Sequence, residues 1–195
     1  MTGRYGAGSG SLPGMRLGID LDGVVADFDG GWSARYTEEF QTMLRVQEVV
    51  WDQLHRLTHF PDMDAFWDWV NQRRVFRHLP TIPGAVEALT RLAGEGHEIV
   101  IISAKSDWAI PDTLSWIAEH RLPTREIHFR RDKYAVECDA YLDDSPINLL
   151  ELVTHRPQAL VCRMVAPWNR PVAGAVDISD WAGFEKAVSA HPHNR

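Results

Sequence analysis

Four aspartates stand directly after short apolar runs at two distant places in the chain: Asp20 and Asp22 in "RLGIDLDGVVADF" (16–28), Asp143 and Asp144 in "YLDDSP" (141–146). Like charges gathered at the ends of buried strands raise at least one pKa and cost stability, so something must offset the repulsion. A hard cation does this. Carboxylates, backbone carbonyls and water suit Mg²⁺, which takes few protein carboxylates and keeps a substrate phosphate as a ligand. With cation and phosphate in place, an ionised aspartate can attack phosphorus and form an aspartyl phosphate. Asp20 is the candidate nucleophile. Asp22 is the candidate to give a proton to the departing oxygen and later take one from water, with Gly23 letting the chain turn sharply away. Ser103 in "IISAKSD" could donate its hydroxyl to a phosphoryl oxygen, and Lys133 in "RRDKYAVECDAYLDD" could neutralise the same group as charge shifts.

These groups meet only if the intervening chain brings them together. "MRLGI" (15–19), "EIVIIS" (98–103), "EIHF" (126–129), "AYLD" (140–143) and "ALVCRM" (159–164) read as strands. "PGAVEALTRLAGEG" (83–96) and "DTLSWIAEHRL" (112–122) carry helical spacing between them. Such alternation predicts an α/β fold, a Rossmann-like three-layer parallel sheet with helices on both faces. Ligands of open sheets bind beyond the carboxyl ends of strands, where all four aspartates and Ser103 would lie.

Residues 29–79 hold no strand pattern, and "ARYTEEFQTMLRVQEVVWDQLHRL" (34–57) and "MDAFWDWVNQRRVFRHL" (63–79) look like amphipathic helices. A connection of that length exceeds one crossover. It reads as a small helical cap inserted after the first strand, giving a flexible leader over 1–14, a catalytic core from 15–28 and 80–195, and a cap over 29–79. Phe66, Trp69 and Val70 share a helical face and read as cap core, while Trp67 points elsewhere and could reach the cleft. Arg73, Arg74 and Arg77 read as a solvated face. "DDSP" also reads as a helix start, with Asp144 or Ser145 as N-cap and Pro146 in the first turn, which does not exclude metal binding by Asp143.

Composition narrows the classes. The 195 residues are 45% hydrophobic, enough for one domain with a small subdomain. A formal net charge of -7 argues against a broad basic face for nucleic acid polymers. No apolar run reaches about 18 residues, so no membrane span is expected. "MTGRYGAGSGSLPG" lacks the apolar centre of a secretory signal, and Met15 is an alternative start. Its glycines follow no strand and lack the Gly-Lys-Ser/Thr ending of a phosphate-binding loop. "HPH" (191–193) is too short and terminal for a metal site. Two cysteines, Cys138 and Cys162, make no disulfide framework and suit a reducing cytoplasm.

Taken in order, "DLDGVVADF", "IISAKSD", "RRDK" and "YLDDSP", with a helical insertion after the first, resemble the haloacid dehalogenase (HAD) superfamily of phosphatases. More narrowly they are similar to the cytosolic 5'(3')-deoxyribonucleotidase family, over about residues 15–189. The resemblance implies a Mg²⁺-dependent phosphomonoesterase acting on nucleoside monophosphates, with Asp20 as nucleophile and Asp22 as acid and base. It implies metal contacts from Asp20, from the backbone carbonyl of Asp22, from Asp143, and from Asp144 through water. Ser103 and Lys133 would hold phosphate, and Phe28 matches an aromatic residue that stacks on the nucleobase. Ser103 stands where many relatives have threonine, which keeps the hydroxyl. The expected partner is a small phosphorylated substrate, with a homodimer allowed and neither nucleic acid polymer nor membrane involved. Two other readings stay open: a phosphatase for another small metabolite, and a non-catalytic binding module of the same fold.

Overall fold

Apolar runs too short to span a membrane become six parallel strands in the computed structural model, which describes residues 14–42, 44 and 51–191. These are β1 (Arg16–Ile19), β2 (Glu98–Ser103), β3 (Thr124–Phe129), β4 (Ala140–Asp143), β5 (Leu160–Met164) and β6 (Val176–Ile178), in the order β3-β2-β1-β4-β5-β6. Parallel strands buried on both faces read as continuous apolar runs, as β2 and β4 do. The chain builds outward from β1 in both directions, so the order reverses between β1 and β4. That reversal opens a crevice at their carboxyl ends.

Among the described residues six α-helices accompany the sheet: α1 (Phe28–Phe40), α2 (Met63–Gln72), α3 (Ala85–Gly94), α4 (Ile110–Glu119), α5 (Pro146–His155) and α6 (Trp181–Ala190). Leu17, Ile19, Ile99, Ile101, Ala140 and Leu142 share a core with Leu89 and Leu92 of α3 and with Trp181 and Phe184 of α6. The intervening residues Val100, Ile102, Tyr141 and Val161 pack with Leu149 and Leu152 of α5. Alternation along each strand thus feeds two apolar layers.

Gly18 lies in the second layer, where an added Cβ would stand 2.8 Å from Tyr141 Cδ1 and 2.9 Å from Ile102 Cδ1. Gly18→Ala is therefore expected to overpack the layer at a cost of about 1–3 kcal/mol, read as a lower urea midpoint with an unchanged slope.

The helical segment departs from its sequence reading in detail. Helix α1 begins at Phe28, because Asp27 Oδ1 caps it by accepting from Gly30 N at 2.8 Å, and it ends where Gln41 turns left-handed at φ 53°. The expected continuation to residue 57 is not one helix. Residues 43 and 45–50 fall outside the described part, and Trp51–Leu57 winds as a tighter 3₁₀ stretch. Likewise α2 stops at Gln72, before left-handed Arg74 (φ 51°), and a single 3₁₀ turn covers Val75–Arg77. Phe66, Trp69 and Val70 are buried, as their shared face predicts.

Strand β6 escaped the sequence reading because three residues, two exposed and one charged, carry no periodic pattern. Its register comes from pairing with β5 and from the Arg163–Asp177 ion pair. Helix α5 does start at Pro146, with Ser145 as N-cap. Residues 1–13 of the expected leader, and His193 of "HPH", lie outside the described residues.

Candidate active site

The chain leaves β1 through a tight turn. Asp20 N donates to Leu142 O of β4 at 3.0 Å, fixing the first carboxylate beside the end of that strand. Leu21 O then accepts from Val24, Val25 and Ala26 N at 3.2, 2.8 and 2.8 Å. Gly23 adopts φ +72°, and a Cβ there would lie 1.9 Å from Asp144 Oδ2, so only glycine satisfies both the backbone and the neighbouring carboxylate. The chain leaves and returns side by side at this turn: Asp27 N donates to Pro80 O, and Ile82 N to Val25 O, each at 2.8 Å. From the other side Trp181 Nε1 donates to Val24 O at 3.0 Å.

Asp20, Asp143 and Asp144 converge at the crevice, with one oxygen from each within 4.8 Å of the others, and all three are buried. Lys133, in a single 3₁₀ turn between β3 and β4, places Nζ 2.8 Å from Asp20 Oδ1 and 2.5 Å from Asp143 Oδ2. Asn148 Nδ2 donates to both Asp143 oxygens at 3.1 and 3.2 Å, and Ser145 N to Asp143 Oδ1 at 2.9 Å. Behind the cluster Asn169 Nδ2 holds Asp144 O at 2.8 Å while its Oδ1 accepts from Arg163 Nη1 at 2.5 Å.

Electrostatics follows from one ammonium facing several buried carboxylates. Burial pushes Asp20 up to about 7; Lys133 opposes the rise, and Asp143 and Asp22 add to it. Burial, reinforced by Asp20 and Asp143, holds Asp144 well above the usual carboxylate range. Burial by itself would lower Lys133, but Asp143 and Asp20 outweigh it and keep the ammonium raised. Asp144 Oδ2 is buried with no hydrogen-bond partner among the described residues. An orphan carboxyl oxygen within an all-oxygen donor set fits a hard divalent cation such as Mg²⁺.

Asp22 takes a different course from the other three aspartates. Its Oδ2 accepts from Lys105 Nζ at 2.5 Å, while Oδ1 is buried without a partner among the described residues. The expectation of a metal contact for Asp22 concerned its backbone carbonyl, not this carboxylate. Lys105 Nζ also sits 3.4 Å above the centroid of the Phe76 ring. Phe76 stacks on Phe28 at 5.3 Å between centroids and lies 5.7 Å from Trp108, while Trp67 contacts Phe28, Phe76 and Trp108. Phe28 is fully buried beneath these rings. Trp108, 37% exposed, offers the accessible aromatic surface. Ser103 is buried at the end of β2, on the same rim. Arg73, Arg74 and Arg77 pair with Glu39, Asp112 and Glu119 at the surface.

The family described as "5' nucleotidase, deoxy (Pyrimidine), cytosolic type C protein" matches residues 14–191. The chain belongs to this family. As a member of the type C nucleotidases it is a phosphoric monoester hydrolase. It is 30% identical over 161 residues to the human mitochondrial 5'(3')-deoxyribonucleotidase, covering 74% of this chain and 70% of that one. A Chlorobaculum tepidum protein provisionally assigned as a 5'(3')-deoxyribonucleotidase is 31% identical over 157 residues, 70% of this chain and 72% of its own. Among solved structures, a HAD family hydrolase from Deinococcus radiodurans R1 with bound phosphate and sodium superposes with a TM-score of 0.62 at 16% identity. The alignment covers 91% of this chain and 96% of that one, a likeness of fold.

Several residues of this type C nucleotidase site carry no assignment from sequence. Lys105 is two positions past Ser103 within "IISAKSD", and a lysine in a strand-end loop beside a hydroxyl residue was the available signal. Asn148, five positions after Asp143 on α5, could have been placed by the helix start at "DDSP". Asn169 and Arg163 depend on β6 and on a loop that periodicity does not reveal.

Proposed function

We propose that the chain hydrolyses 5'- or 3'-(deoxy)nucleoside monophosphates with Mg²⁺ as cofactor. The observation that carries this reading is the junction of two unlike surfaces: the carboxylate cluster around Lys133, and the Trp67–Phe76–Trp108 rings joined to it through Lys105 and Asp22. A phosphate suits the first. A flat heterocycle suits the second, where stacking contributes about 1–3 kcal/mol per base. The deoxyribonucleotidases among the relatives support the same substrate class.

Asp20, Asp143 and Asp144, with the backbone carbonyl of Asp22, would hold Mg²⁺, which supplies positive charge against the phosphoryl oxygens. An Asp20 carboxylate oxygen bonds to phosphorus as the phosphorus–ester oxygen bond breaks. Asp22 gives its proton to the departing oxygen, so the nucleoside leaves as a neutral alcohol. The resulting Asp22 carboxylate takes a proton from water, whose oxygen bonds to phosphorus. Asp20 departs as a carboxylate, inorganic phosphate leaves, and both side chains are restored. Lys133 neutralises the transferring group, and Ser103 donates its hydroxyl to it.

In this reading residues 15–28 and 80–195 carry the chemistry, residues 29–79 act as a cap that sets the substrate, and the enzyme works in the cytoplasm. Among the described residues no helix is long and apolar enough to cross a membrane.

A panel of monophosphates tests the proposal. Nucleoside monophosphates are expected to show a kcat/KM at least about tenfold above sugar phosphates, and excess EDTA to silence all turnover. Turnover confined to a sugar phosphate would replace the nucleotide reading with that of another metabolite phosphatase. Activity persisting in EDTA would remove the metal. No turnover of any monophosphate would leave a binding module.

A further inference from the structure

We propose that Lys105 is the positioning residue for Asp22, an inference that rests on the phosphatase reading above. It pins one carboxylate oxygen so that the other is reserved for the proton of the leaving group. Four observations converge on it. Lys105 lies in the loop after β2, outside the cluster of Asp20, Asp143 and Asp144, yet its side chain is only 4% exposed. Its Nζ meets Asp22 Oδ2 at 2.5 Å. Asp22 Oδ1 is buried and unpartnered among the described residues, which is the condition of an oxygen awaiting a substrate atom. Finally, Lys105 is itself seated, because its ammonium rests 3.4 Å from the centroid of the Phe76 ring.

A carboxyl group free to rotate presents either oxygen, in many orientations, to the leaving atom. Held at Oδ2, it presents Oδ1 along one direction, and fixed orientation of an acid is a large part of its effectiveness. Phe76 belongs to the returning end of the helical segment and stacks on Phe28, so the alignment of the acid depends on that segment being in place. Lys105 thereby links the element that chooses the substrate to the group that protonates its leaving oxygen. Lys133 does not duplicate this role, since its Nζ is committed to Asp20 and Asp143.

The test compares two leaving groups. A nucleoside departs as an alcohol and needs its proton, whereas p-nitrophenyl phosphate releases a stable phenolate that does not. We use kcat/KM, which reports the steps up to release of the first product. Lys105→Met is expected to lose about 100-fold or more on a nucleoside monophosphate and about tenfold less than that on p-nitrophenyl phosphate, with Lys105→Arg recovering most of the difference. Equal losses on both substrates would make Lys105 a binder of the phosphoryl group, or merely structural, and would overturn the proposal. Unchanged rates would overturn it too. Should Lys105→Met fail to fold, Lys105→Gln, which keeps a hydrogen-bond donor but not the charge, must show the same selective loss at smaller size; a non-selective loss or none refutes the inference. Wild-type protein that turns over neither substrate would instead defeat the phosphatase reading itself, so the two failures are distinct.

Discussion

An Asp20→Asn protein is expected to hydrolyse no monophosphate at a measurable rate and, in metal-free buffer, to be more stable than wild type. The first half follows from the proposed role: an amide nitrogen or oxygen does not supply the carboxylate that accepts the phosphoryl group, and no other aspartate of the cluster occupies its place after β1. The second half follows from burial. Asp20 is raised from 3.8 to about 7, mainly by desolvation, against the pull of Lys133. Because the folded value exceeds the unfolded one, the folded state keeps a proton that the unfolded chain has already lost. Wild-type stability from this group is fully present below the unfolded value and declines as pH rises toward about 7. Asparagine carries no such dependence. The difference in urea midpoint between variant and wild type, measured in EDTA, should therefore widen in favour of the variant from acidic pH to neutrality. Asp144, raised in part by Asp20, adds to this trend in the wild type and is relieved in the variant. Wild-type turnover by purified Asp20→Asn would remove the nucleophile assignment, and a midpoint difference indifferent to pH would contradict the electrostatic account.

Gly23→Ala should separate folding from metal binding. The left-handed backbone at φ +72° costs a non-glycine residue on the order of 1–2 kcal/mol, which a domain of this size survives. The new Cβ, however, would fall 1.9 Å from Asp144 Oδ2 and 2.9 Å from Asp144 Cγ, so the carboxylate must rotate out of the cluster. The orphan oxygen that invites a cation is the one displaced. Mg²⁺ affinity measured by calorimetry is expected to weaken at least about tenfold, near 1.4 kcal/mol, with activity at low Mg²⁺ falling further than the midpoint of unfolding. Wild-type Mg²⁺ affinity in a folded Gly23→Ala protein would take Asp144 out of the metal set.

The parts of this molecule that were legible in sequence are those whose physics is local. Each of the five predicted strands lies within two residues of its observed bounds, because short apolar, β-branched runs such as "EIVIIS" suit a strand buried on both faces of a parallel sheet. The aspartates were legible because residues at strand ends in a parallel sheet share one side. What stayed hidden depends on contacts between distant segments. Strand β6 exists only through its pairing to β5 and the Arg163–Asp177 contact, and three residues carry no period of their own. Lys105 looked like a loop lysine until Asp22, 83 positions away, was placed against it. Phe28 was identified through family resemblance, but whether its ring faces solvent is set by Phe76, which returns from the far end of the insertion. The helix expected across 34–57 failed at Gln41, where a left-handed residue ends α1 and no glycine or proline gives warning.

The placement of β1 between β2 and β4 also bears on how the protein is born. Asp20 emerges from the ribosome about 120 residues before Asp143, and its amide is anchored to Leu142 O only when β4 docks. A nascent chain can pair β1 with β2 early, yet it possesses just half of its anionic centre until β4 has been made. In the proposed reading, a polypeptide that stops short of β4 could neither gather the cation nor cleave a phosphate ester.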